Sequence, residues 1–206
     1  MSKGQTPSQT VGPYFAYGLT PEQYSYPALA SIASANLRSP DVAGQPIRIE
    51  GRVLDGNGDV VNDAMIEIWQ ADPQGRYAHP ADARGGNIGF KGFGRCGTGT
   101  DAENRFVFDT VKPGAVGDRG GDDQAPHITV IVFMRGLLSH LYTRIYFADE
   151  AEANAKDPVL QSVPAERRGT LIAALKEPGR DEAGGVPVYR FDIHMQGDAE
   201  TVFFDV

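Results

Sequence analysis

His127-Ile128-Thr129-Val130-Ile131-Val132-Phe133-Met134 and, after a short connection, Leu141-Tyr142-Thr143-Arg144-Ile145-Tyr146-Phe147 decide the fold. The first run is nearly all apolar and β-branched, as expected of a strand buried on both faces. The second alternates around Thr143, Arg144 and Tyr146, so the two are expected to pair as neighbours. Working outward, Arg105 to Val111 alternates Phe106 and Phe108 with polar residues and stops at Lys112-Pro113-Gly114. Ile47, Ile49 and Val53 alternate with Arg48, Glu50 and Arg52. Asp55-Gly56-Asn57-Gly58-Asp59 then offers turn chemistry before Met65 to Gln70, which predicts a hairpin. Val186 to Met195 and Thr201 to Phe204 complete a set of short strand-like runs. With 25 Gly and 14 Pro spread between them, they predict an all-β chain whose core is a two-sheet β-sandwich.

Helical signals are few. Asp149 to Ala155 is rich in Ala and Glu, and Pro164 to Lys176 places proline in a first turn and ends before Pro178-Gly179. The expected organisation is one domain over 1–206, with an extended N-terminal arm (1–40), a sandwich core (46–147 and 186–206) and a helical insertion (149–178). The arm carries Tyr14, Phe15, Tyr17, Tyr24 and Tyr26 without a sustained period, so its apolar groups call for another surface to cover them.

Composition narrows function by exclusion. The chain has 206 residues, and 19 Lys+Arg against 27 Asp+Glu give 19 − 27 = −8. Such a charge, with no basic cluster, argues against nucleic acid and anionic membrane as partners. The apolar run Val130 to Met134 is far short of the roughly 20 residues a bilayer span needs. A lone Cys96, with no signal-like start, predicts a cytoplasmic protein without internal disulfides.

Familiar motifs fail on context. Gly92-Phe93-Gly94-Arg95-Cys96-Gly97 has dinucleotide-fingerprint glycines, but Thr98-Gly99-Thr100-Asp101 follows where a helix should begin. Asp55, Asn57 and Asp59 start like a calcium loop, yet Val60 and Ile66 occupy the positions of its Gly and Glu. The histidines, His79, His127, His140 and His194, show no metal-ligand pairing. On their own, His127 reads as a hydrogen-bonded core histidine and Tyr77 as a packing tyrosine.

Several segments, in order and spacing, resemble the intradiol ring-cleavage dioxygenases. They are Gly51-Arg52-Val53-Leu54-Asp55, Glu67-Ile68-Trp69-Gln70-Ala71-Asp72, Gly75-Arg76-Tyr77, Thr110-Val111-Lys112-Pro113-Gly114 and Ala125-Pro126-His127-Ile128. Thr6-Pro7-Ser8-Gln9-Thr10-Val11-Gly12-Pro13-Tyr14, Phe133-Met134-Arg135-Gly136, Tyr146-Phe147-Ala148-Asp149-Glu150 and Tyr189-Arg190-Phe191-Asp192-Ile193 carry the resemblance further, to the alpha-type chains of family members that act on protocatechuate. The resemblance implies a hetero-oligomer of alpha and beta chains in which non-haem Fe(III) and O2 open protocatechuate to β-carboxy-cis,cis-muconate. Iron in this family is held by two tyrosines and two histidines, and anionic phenolates suit Fe(III).

Carried over by position, the four ligands fall on Tyr77, Val116, His127 and Thr129. Valine cannot ligate, so the resemblance implies a vestigial site with no metal and no catalytic residue in this chain, the Fe(III) lying on the partner beta chain. It further implies that Thr10, Gly12 and Pro13 line the substrate pocket at the chain boundary and that Arg135 binds the substrate carboxylate. Two other readings are kept. One is a self-sufficient iron enzyme drawing on Tyr142, Tyr146 or His140; the other is a β-sandwich interaction module that contacts no substrate.

Overall fold

A computed structural model describes residues 4, 8–26, 30–40, 42–84, 89–117, 123–176 and 185–206. Thr6-Pro7 of the N-terminal motif and 177–179 at the end of the predicted insertion lie outside the described residues. In chain order come α1 (Phe15–Leu19), β1 (Pro46–Gly51), β2 (Val53–Leu54), β3 (Met65–Gln70), β4 (Phe93–Gly97), β5 (Phe106–Val111), β6 (His127–Phe133) and β7 (Leu141–Phe147). There follow α2 (Ala151–Asn154), α3 (Pro158–Ser162), β8 (Ile172–Leu175), β9 (Val188–Arg190) and β10 (Ile193–His194). Short 3-10 turns cover Ala148–Glu150 and Ala165–Leu171. No helix among the described residues is long and apolar enough to cross a membrane.

The chain is mostly β with few short helices, as expected, but its long strands share one sheet. Eight strands run in the order β4-β3-β6-β7-β8-β9-β1-β5, and β10 pairs with β2 in a separate two-stranded sheet. The large sheet curls until its edges approach: the Val107 amide of β5 donates to Cys96 Sγ of β4 at 3.5 Å. Ile66, Ile68, Ile128, Val130, Val132 and Ile145 from one half thereby pack against Ile47, Ile49, Phe106, Phe108 and Tyr189 from the other. Full burial of each such side chain contributes about 1.5–3 kcal/mol.

β6 pairs antiparallel with β7, and Arg105–Val111 contributes β5, both as read from the sequence. The predicted hairpin is corrected. Asp55 Oδ1 accepts the Asn57 and Asp59 amides to form the turn, but only β2 folds back on it, through the Leu54–Val60 bridge. β1 instead pairs with β5 and β9, and β3 with β4 and β6, so the two long strands enter opposite halves of the sheet. The predicted helix over Pro164 to Lys176 is half right: a 3-10 turn gives way to β8, which lies parallel to β7. Gly92 to Gly97 is no nucleotide loop, because Phe93–Gly97 is strand β4. Thr201 to Phe204 forms only the Phe204–Tyr142 bridge, and the arm includes the short α1.

Burial along β6 alternates, with Ile128, Val130 and Val132 in the core and Thr129, Ile131 and Phe133 on the other face. That second face starts at His127 and ends beside the N-terminal arm. It positions both candidate sites.

Candidate functional site

At the His127 end, two sequence-distant segments are pressed together. Asp72 Oδ1 accepts the Gln74 and Arg76 amides at 2.9 Å, making a turn in which Gly75 adopts φ +71°. A Cβ at Gly75 would stand 1.8 Å from the Ala115 carbonyl oxygen, so only glycine lets the turn seat on the segment after Lys112-Pro113-Gly114. This contact sets Tyr77 and Val116 in the wall of one cavity of about 890 Å³, together with Trp69, Asp82 and Arg84. Trp69 stacks on Tyr77 with ring centroids 5.8 Å apart and planes 12° apart.

Tyr77 and His127, the two positions that keep the family's ligand type, are hydrogen-bonded to each other. His127 Nδ1 lies 2.7 Å from the Ala125 carbonyl oxygen, so that nitrogen carries the proton and Nε2 accepts from the Tyr77 hydroxyl at 3.3 Å. Burial pulls His127 down to about 4, assisted by the Arg144 charge, and the imidazole is neutral at pH 7. Burial raises Tyr77 above the ordinary phenol value against the opposing pull of Arg144 and Arg84, so it is a phenol and not a phenolate. Thr129 shares the His127 face, directly opposite Arg144 on β7. Arg144 donates to Gln124 Oε1 at 2.8 Å, and no carboxylate among the described residues pairs with it. A donor set of one phenol, one imidazole, one neutral hydroxyl and one valine, beside a guanidinium, does not fit a four-ligand Fe(III) site.

The other candidate ligands are also engaged. Tyr146, cross-strand from His127, donates its hydroxyl to Asp157 at 3.0 Å, and its pKa is raised, chiefly by burial. His140 and Tyr142 bond one another at 3.0 Å, and the His140 ring lies against Phe133, towards the arm. Asp82, whose amide partners include Tyr77, is held well below the usual carboxylate range, first by the Arg84 guanidinium.

At the far end of β6 the structure brings Thr10 and Arg135 together. Gly136 turns the chain at φ +90°, and its amide donates to Thr10 Oγ1 at 3.0 Å. Ser8 Oγ donates to the Leu138 carbonyl, and Phe15 packs on Phe133 at 5.5 Å, so the arm is fastened over the strand end. Gly12 and Pro13 are exposed, and the space where a Gly12 Cβ would sit is empty to 4 Å. Whatever closely approaches Gly12 is therefore outside the described residues. Arg135 is 57% exposed and pairs through Nε with Asp63. β6 runs from His127 to Phe133, about 20 Å at roughly 3.3 Å per residue, so the Arg135 turn that follows it and His127 lie at opposite ends of the strand. The two carried-over clusters are separate places.

Sequence reading missed Arg144, Asp157 and Asp63. Arg144 resembles any outward charge on an alternating strand, and only the register shows it facing Thr129. Asp157 left a visible signal, Asp before Pro158 at a helix start; it caps α3 by accepting from the Leu160 amide at 2.7 Å and also takes the Ala125 amide.

Comparison with known proteins adds four findings. The dioxygenase family model matches residues 20–197. The chain is 55% identical over 203 residues to the protocatechuate 3,4-dioxygenase alpha chain of Burkholderia cepacia, covering 98% of each. It is 37% identical over 158 residues to the beta chain from the same organism, covering 75% of this chain and 66% of that one. Among solved structures, catechol 1,2-dioxygenase from Pseudomonas arvilla C-1 shares the fold with a TM-score of 0.57 at 24% identity, over 81% of this chain and 58% of that one.

Proposed function

Since the chain belongs to the intradiol ring-cleavage dioxygenase family, we propose that it is the metal-free alpha chain of a protocatechuate 3,4-dioxygenase, completing the substrate pocket of a beta chain that holds Fe(III). The observation that carries this reading is the separation of the clusters. The Thr10–Arg135 end of β6, exposed at Gly12, Pro13 and Arg135, lies at the opposite end of the strand from Tyr77 and His127, which supports a role at a site completed by another chain. The mutual Tyr77–His127 bond and the facing Arg144 support leaving the metal to the partner. The same reading takes the two halves of the curled sheet as the layers of a sandwich joined through β8.

In this assignment Fe(III) would be held by the beta chain and not by Tyr77 or His127 of this one, and it would supply the activation of a bound catecholate towards O2. This chain's part is binding and orientation. The exposed Arg135 guanidinium, held on one side by Asp63, meets the substrate carboxylate in bidentate fashion. Thr10 holds the arm to the Arg135 turn, Gly12 lets a substrate approach the backbone, and Pro13 adds a rigid apolar ring to the same wall. The test is Arg135→Ala in the assembled alpha-beta enzyme. KM for protocatechuate should rise at least tenfold, as a lost charge-assisted contact of about 1.5–3 kcal/mol implies, while catechol, which has no carboxylate, is little affected. Equal losses on both substrates would remove Arg135 from the substrate.

A further inference from the structure

We infer that Asp63 is a positioning residue that sets the Arg135 guanidinium for the substrate carboxylate, an inference that rests on the role given to Arg135 above. The last pair of the β3–β6 ladder is Met65 opposite Phe133; Asp63 and Arg135 each lie two residues beyond it, in the turns that flank the two strands, and meet there as an ion pair. Asp63 is only 10% exposed at its side chain, Arg135 57%. Both Asp63 oxygens are buried without a hydrogen bond, and among the described residues the Arg135 guanidinium is the cation that ion-pairs with this carboxylate. A carboxylate shielded from water in this way requires its cation, so the pairing is strongly selected.

The geometry also leaves the arginine usable. The guanidinium nitrogen nearest Asp63 is Nε, and no terminal nitrogen of Arg135, the pair that forms the end-on fork for a carboxylate, donates a hydrogen bond among the described residues. Gly136, next in the chain, is tied to Thr10, so the arginine is fixed from its backbone and from its side chain. Without Asp63 the long side chain regains its rotamers and must be immobilised by the substrate itself.

The experiment measures KM and kcat for protocatechuate and for catechol in the assembled alpha-beta enzyme, with Asp63→Ala, Asp63→Asn, Arg135→Ala and the Asp63→Ala/Arg135→Ala double variant. Asp63→Ala should raise KM for protocatechuate roughly three- to tenfold, the cost of one immobilised arginine, with catechol kinetics unchanged. Asp63→Asn, which still offers an oxygen to Nε, should recover part of the loss, and the double variant should equal Arg135→Ala alone. If Arg135→Ala is selective for protocatechuate but Asp63→Ala is silent, lowers KM or harms both substrates alike, Asp63 does not position the arginine and only this inference falls. If Arg135→Ala is itself unselective, the substrate role of Arg135 fails and this inference fails with it.

Discussion

Replacing His127 with Asn should remove a specific piece of the chain's pH dependence. His127 is 2% exposed, and burial, with Arg144 second, brings it down to about 4, against roughly 6.5 for an unfolded chain. Between these values the unfolded state binds a proton that the folded state refuses, so stability falls as pH drops from 6.5 towards 4 and is complete above 6.5. A gap of about 2.5 pH units at 1.36 kcal/mol each amounts to about 3 kcal/mol, most of which is lost between pH 7 and pH 4.5. Asn keeps a donor for the Ala125 carbonyl but does not titrate. Urea unfolding of both proteins across pH 4.5–7.5 isolates the contribution as the difference between two curves, in which the carboxylates cancel. The difference should grow by about 2–3 kcal/mol towards neutral pH in favour of the wild type. A flat difference, or a His127 ring resonance titrating near 6.5, would refute the buried neutral imidazole and with it the assigned Tyr77-to-His127 hydrogen bond.

Gly75→Ala should destabilise the chain by at least about 2 kcal/mol, since the new Cβ overlaps the Ala115 carbonyl at a positive φ. Trp69 fluorescence should change as well, because the displaced turn carries the Tyr77 ring stacked on it. Asp157→Ala should cost about 3–5 kcal/mol in urea unfolding, because it strips the α3 cap and leaves the Ala125 amide and Tyr146 hydroxyl without an acceptor.

What the sequence disclosed, and what it withheld, follows from the range of the interactions involved. The β6–β7 pair was legible because both strands carry their own pattern and adjoin in the chain. The 47–70 hairpin was misread because turn chemistry at 55–59 is local, whereas the partners of β1 and β3 are fixed by a core assembled from both halves of the sheet. β8 hid in Ile172-Ala173-Ala174-Leu175, whose alanines suit a helix equally well; its strand form depends on β7 and β9 lying on either side. Tyr77 and His127 could be named from motif positions, and the structure puts them in contact at 3.3 Å. Arg144 and Asp63 could not be, since each acquires its meaning only from the register that sets it opposite Thr129 or Arg135.

The central claim is that the chemistry lies at a boundary between chains, with the metal on the other side. It is tested most directly by producing this chain alone and measuring iron per chain, visible phenolate-to-iron absorption and ring cleavage, before and after adding the beta chain. The account predicts an iron-free, colourless and inactive chain that supports protocatechuate cleavage once the beta chain is present. About one iron per chain, with colour and cleavage in the absence of any partner, would contradict it.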